Sequence, residues 1–148
     1  MEWRYCMNKH SGIIKDWVLV TSGSFITMAA SFMLYYLFFM IFETMANKDG
    51  SYSFVSPVRV GYGIIWLAFC LIIYGTKIPE WLKASILAVS LTTFMAAIGV
   101  QLYRTPIIAG IIIIMFVVSA VYLLRKMNKK WYHYYAIAIS LFAGLIYL

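Results

Sequence analysis

Residues 105–124 read TPIIAGIIIIMFVVSAVYLL, twenty positions without an acid or a base, bounded by Arg104 before and by Arg125 and Lys126 after. At ~1.5 Å of rise per residue a helix of that length covers ~30 Å, which is the hydrocarbon thickness of a bilayer. Thr105 and Pro106 offer a capping hydroxyl followed by a proline suited to the first helical position, so the helix is expected to begin there. Four further runs lack Asp, Glu, Lys and Arg altogether: 17–42, 60–76, 84–103 and 134–148. In lipid every backbone N–H and C=O must be satisfied within the protein, and continuous apolar runs do this as helices. The pattern predicts an all-α integral membrane helical bundle, one transmembrane domain over 1–148. Its five transmembrane helices lie at about 17–42, 58–76, 82–103, 106–124 and 132–148, with an outer loop at 44–57.

Composition agrees. Hydrophobic residues make up 64% and charged residues 11%, against about 45–50% and about 25% in soluble domains. The net charge of +7 would suggest nucleic acid in a soluble protein. Here the cations sit at the edges of apolar runs, where they hold loops in the cytoplasm and meet anionic headgroups. No basic and aromatic surface between the runs is long enough to carry a nucleic acid, so none is expected as a partner. Cys6 and Cys70 fall at different depths and outside any C-x-x-C pair, so no disulfide is expected. The first run has 26 residues, beyond the about 7–15 of a secretory h-region, and reads as a retained span. Either Met1 or Met7 can open the native chain.

Orientation follows from the cations. Arg4, Lys9, Lys15, Lys77, Lys83, Arg125, Lys126, Lys129 and Lys130 fall on one side, nine in all; Lys48, Arg59 and Arg104, three in all, fall on the other. The bias predicts a cytoplasmic N-terminus and an outside C-terminus. Trp17, Trp81 and Trp131 mark the same cytoplasmic ends, as an aromatic belt would. The absence of an N-x-S/T sequon suits a multi-pass protein of a prokaryotic plasma membrane.

Helices associate in lipid by close backbone approach, which small residues permit. Such residues recur every fourth position as Gly23, Thr27 and Ser31; Ala88, Thr92 and Ala96; and Ala136, Ser140 and Gly144. These stripes predict helix packing, within the chain or against a second copy or another membrane protein.

The ligand-binding candidates gather at the outer edge. Glu43 is the acid at the outer end of the first apolar run, and Arg59, Gln101 and Arg104 lie at the same level. Together they would form a polar mouth. Trp66, with Tyr35 and Tyr36, lies inside its span and needs a hydroxyl partner such as Thr27, Ser31, Thr92 or Thr93. His10 and His133 have no second ligand at metal spacing, and His133 within Trp131–Tyr135 reads as an interfacial anchor. No paired acids, phosphate loop or nucleophile–base pair is present in the sequence, so no catalytic residue, cofactor or metal is expected and the chain is not read as an enzyme. The expected function is a small accessory or interaction subunit working through lateral helix packing, with membrane lipid and a second copy or another membrane protein as partners. The alternative is an oligomeric transporter or channel for a small uncharged or lipidic solute.

Overall fold

The structure, a computed structural model, describes residues 2–46 and 54–147, and side chains over 13–45 and 54–146. It is all-helical: α1 (Glu2–Ala46), α2 (Val55–Tyr74), α3 (Glu80–Gln101), α4 (Pro106–Lys126) and α5 (Trp131–Tyr147). The first four are long and apolar enough to cross a membrane, whereas α5 is a shorter apolar helix.

Helix ends depart from the sequence reading where charge was taken for a boundary. The first helix has 45 residues and so spans ~67 Å, more than the ~40–45 Å of a bilayer with its headgroups. Charged residues limit burial in lipid but not helicity, so Lys15 and Asp16 continue the helix rather than ending it. The expected loop over 44–57 is shorter at both ends, because α1 reaches Ala46 and α2 begins at Val55 with Pro57 in its first turn. Proline is tolerated there, since first-turn N–H groups have no helical acceptor. The expected turn at Asn47–Gly50, and Tyr52, lie outside the described residues.

Pro106 does open α4, but the capping role expected of Thr105 is corrected. Its hydroxyl makes no cap bond and turns back to the Leu102 carbonyl at 3.5 Å. The connector is so tight that carbonyls at the end of α3, which lack helical donors, compete for it. Gly75 ends α2 in a right-handed conformation (φ −77°), with its N–H on the Ile72 carbonyl. Asn128 is different: at φ 48° it is left-handed. Lys129 N–H then reaches the Leu124 carbonyl and Asn128 N–H reaches Arg125, the Schellman closure of a helix end.

Helix α3 is the axis of the bundle. Over the apolar stretches, 67% of α3 is buried, against 6% of α1, 22% of α2 and 17% of α4. Helices α1, α3 and α5 run parallel. Trp17 meets Trp131 while Thr21 meets Tyr135, so the α1–α5 register keeps one offset. Gly144 likewise lies against Met95 and Lys129 against Glu80, one offset for α5 on α3. Helix α2 runs antiparallel and packs Gly63 on Phe94 and Ala97. Helix α4 is peripheral and buries only Ala109, Ile113 and Leu124 fully.

The stripes of small residues fall on the three parallel helices. Val20, Ala84, Ala88, Tyr132 and Ala136 form one cluster where these helices meet. The position a Cβ of Gly23 would occupy is 2.6 Å from Ser85 Oγ. Three hydroxyls in these stripes are satisfied by their own helices: Thr27 donates to Gly23, Thr92 to Ala88 and Ser140 to Ile137, whereas Ser31 bonds Tyr62 of α2. A second cluster joins Cys70 and Ile73 of α2, Leu87 and Leu91 of α3, Leu124 of α4 and Ile137 of α5. Cys70 is a free, buried thiol.

The close approach at Gly23 yields a test. Gly23→Leu must push α1 off Ser85 and Trp81, an overpacking cost of about 1–3 kcal/mol. At Gly110 an added Cβ meets nothing within 4 Å. Thermal unfolding in detergent should therefore fall for Gly23→Leu and stay within error for Gly110→Leu.

Candidate functional site

At the Arg59 end, the four groups expected to form one mouth are spread apart. Ser56 donates to Gln101 Oε1, which ties the start of α2 to the end of α3. Arg104 is exposed and turned onto its neighbour Tyr103, 5.9 Å above the ring. Glu43 is half-buried near the end of α1, and no ion pair joins it to Arg59 or Arg104 among the described residues.

Arg59 instead lines a cleft of about 230 Å³ between α1, α2 and α3. Met28, Ser31, Phe32 and Tyr35 form the α1 wall, Arg59 and Tyr62 the α2 wall, and Val89, Thr92, Thr93, Ala96, Ala97 and Val100 the α3 wall. Three of the stripe residues, Ser31, Thr92 and Ala96, thus face this space. Four of the five hydroxyls on the wall are already engaged, that of Tyr35 being the exception. Tyr62 gives its one hydroxyl proton to the Ser31 carbonyl at 2.6 Å, so the Ser31 hydroxyl donates to the phenol oxygen at 3.1 Å. Thr92 and Thr93 donate to Ala88 and Val89. What remains is a largely apolar channel with one guanidinium, the Tyr35 phenol and no carboxylate in its lining.

Trp66 is not on the cleft. Its ring lies edge-on between Tyr62 and Phe69, and its carbonyl accepts from Ser90 Oγ at 3.0 Å. The phenol that takes the Ser31 hydroxyl is Tyr62, not Tyr35, whose ring packs on Tyr62 at 5.3 Å.

The Lys-rich end holds a cluster that the sequence reading missed. Glu80, the first residue of α3, receives Lys83 Nζ at 3.1 Å and Lys129 Nζ at 2.9 and 3.1 Å. His133 Nε2 stands 3.4 Å from the same carboxylate. The expected interfacial role of His133 is corrected: the ring is fully buried, stacked on Tyr132 at 4.8 Å and edge-on to Tyr74 at 5.9 Å. His133 Nδ1 lies 3.3 Å from the Lys130 carbonyl. Lys129 Nζ also sits over the Tyr74 ring, 5.6 Å from its centre. One carboxylate thus links α3, the α4–α5 connector and α5, with an α2 tyrosine across it.

This cluster is a structural clasp by its geometry. Lys83 is 5% exposed, and a desolvated ammonium must keep an anion close. Two spacings hinted at it, Glu80 to Lys83 at i,i+3 and Lys129 to His133 at i,i+4. The two halves are distant in sequence, and each half has an ordinary local explanation. The side chains of Cys6 and His10 lie outside those described. No group of three or more metal-binding side chains is found among the described residues. No protein-family model, curated protein or solved structure matches the chain.

Removing the anion tests the clasp. Glu80→Gln leaves Lys83 buried beside a neutral amide and should cost roughly 1–3 kcal/mol, towards the low end because the carboxylate is partly solvated. The double variant Glu80→Gln/Lys83→Met removes the stranded charge and should regain much of that loss. Equal melting temperatures for Glu80→Gln and the parent chain would refute the assignment.

Proposed function

We propose that this chain is a five-span plasma-membrane subunit that works by lateral helix docking, on itself or on another membrane-embedded protein. The N-terminus lies in the cytoplasm and the C-terminus outside, with the Glu80 clasp at the cytoplasmic face. Insertion is supported by the outward surface: Phe25, Ile26, Phe32 and Met33 of α1, and Ile107, Ile114, Met115 and Val118 of α4, are all more than 60% exposed. Lipid is the solvent in which such a surface is stable. The orientation is supported by the nine-to-three cation bias. It is supported too by Trp17 and Trp131, whose tilted rings meet at the Lys-rich end.

One observation carries the docking role. The stripe glycines Gly23 and Gly144 are packed against Ser85 and Met95, but Gly61 and Gly110 have open space where a Cβ would go. A glycine inside a helix costs about 1 kcal/mol relative to alanine, and nothing within the bundle uses the room these two leave. In lipid that room admits a second helix to backbone distance. The loosely seated α4, with its isoleucine-rich outer side, offers the adjoining surface.

A second reading is favoured by the cleft beside Arg59: an oligomer that passes a small uncharged or lipidic solute. Flux of such a solute into proteoliposomes, absent from empty vesicles, would support it over docking alone. Neither reading assigns the chain a chemical reaction.

Two outcomes are expected. Reporter tags at the two ends of intact cells should be reachable at the C-terminus and shielded at the N-terminus; the reverse would sink the orientation. Cross-linking in native membranes should yield a defined larger species that Gly61→Leu and Gly110→Leu reduce severalfold without lowering thermal stability. A monodisperse monomer that cross-links to nothing would rule out docking.

A further inference from the structure

The cleft between α1, α2 and α3 has the dimensions and polarity of one lipid chain with its headgroup. On α3 its wall runs from Val89 to Val100, eleven helical steps or ~16 Å, against ~15 Å for half of a ~30 Å hydrocarbon core. The deep end is apolar, formed by Met28 and Val89, and Arg59 stands near the opposite end, in the second turn of α2. At about 230 Å³ the space is smaller than the ~300–1,000 Å³ of drug-sized pockets, which favours a single chain over a bulky solute. Phe32 and Val100 line it and are also 64% and 44% exposed, so it opens sideways towards the surrounding lipid.

Charge selects the occupant. The hydroxyl protons of Ser31, Tyr62, Thr92 and Thr93 are already donated, which leaves the Tyr35 phenol as the one lining hydroxyl free to donate, a partner that a phosphate oxygen can also take. The guanidinium of Arg59 is the one charge in the lining, and its planar fork pairs two oxygens of a phosphate. We infer that the cleft is a binding site for one anionic phospholipid of the leaflet on the Arg59 side, an acyl chain filling the apolar channel and the phosphate held by Arg59. The inference rests on bilayer insertion but not on lateral docking.

The test is native mass spectrometry of the detergent-extracted chain with added palmitoyl-oleoyl phosphatidylglycerol, the matching phosphatidylcholine, or oleate. One phosphatidylglycerol should stay bound per chain, at least fivefold more than phosphatidylcholine. Arg59→Gln should abolish that preference, Arg59→Lys should keep part of it, and Ala96→Phe, which fills the channel, should lose both lipids. Phosphatidylglycerol retained equally by the parent chain and Arg59→Gln, or unaffected by Ala96→Phe, would overturn the site. Oleate displacing the phospholipid mole for mole would overturn it in favour of a free carboxylate. A chain that dissolves without detergent would remove this inference and the membrane reading together; an inserted chain with no lipid preference removes this one alone.

Discussion

Three helices must come within backbone distance of α3, and its side chains are chosen for that. Between helices in lipid, apolar burial supplies little drive, so contact depends on shape and on satisfied hydrogen bonds. Ala84, Ser85, Ala88 and Ser90 are all essentially unexposed, and none extends far from the helix axis. Gly23 on α1, Gly63 on α2 and Gly144 on α5 supply matching hollows against Ser85, Phe94 and Met95. Serine brings a second benefit, because Ser85 and Ser90 also reach carbonyls of α1 and α2. The parallel grouping of α1, α3 and α5 then forces α2 and α4 to act as return strokes. Helix α2 covers what remains of α3, and α4 is left at the edge.

The two ends of the bundle solve the problem of charge differently. At the Lys-rich end Glu80 gathers two ammonium groups into a partly dry clasp, with aromatic rings of Tyr74 and Tyr132 around it. At the other end Arg59 and Arg104 stand apart, one on a cleft and one on the surface. One end is closed by ion pairs and the other is open between helices. The cleft between α1, α2 and α3 therefore lies in the Arg59 half, away from the clasp.

The extent of the apolar helices was legible in the sequence because a charge-free run of twenty residues has few other physical solutions. The ends of α1 were not, since helicity follows backbone hydrogen bonding and Lys15 or Asp16 does not interrupt it. Four-residue spacing places the small residues of each stripe on one face; the fold packs Gly23, Ala88, Ala136 and Gly144 between helices and leaves Ser31, Thr92 and Ala96 on the cleft. Arg59 was legible as a charge at an edge, but the cleft it lines depends on how three helices tilt against one another. Glu80 and His133 were opaque for another reason. An acid in a first turn is already explained by the helix dipole, and a histidine among tyrosines by an interface. Only the fold brings the two within 3.4 Å.

The clasp also joins segments that are made at different times. Glu80 and Lys83 are made together and can pair as soon as α3 forms, but Lys129 and His133 come from the final fifth of the sequence. Until α5 arrives, the Ala84 and Ala88 side of α3 has no cover from Ala136. Helix α5 is therefore the element that closes this side of α1 and α3. A nascent chain halted before Lys129 would hold Glu80 paired with Lys83 alone and the Ala84 and Ala88 flank of α3 uncovered.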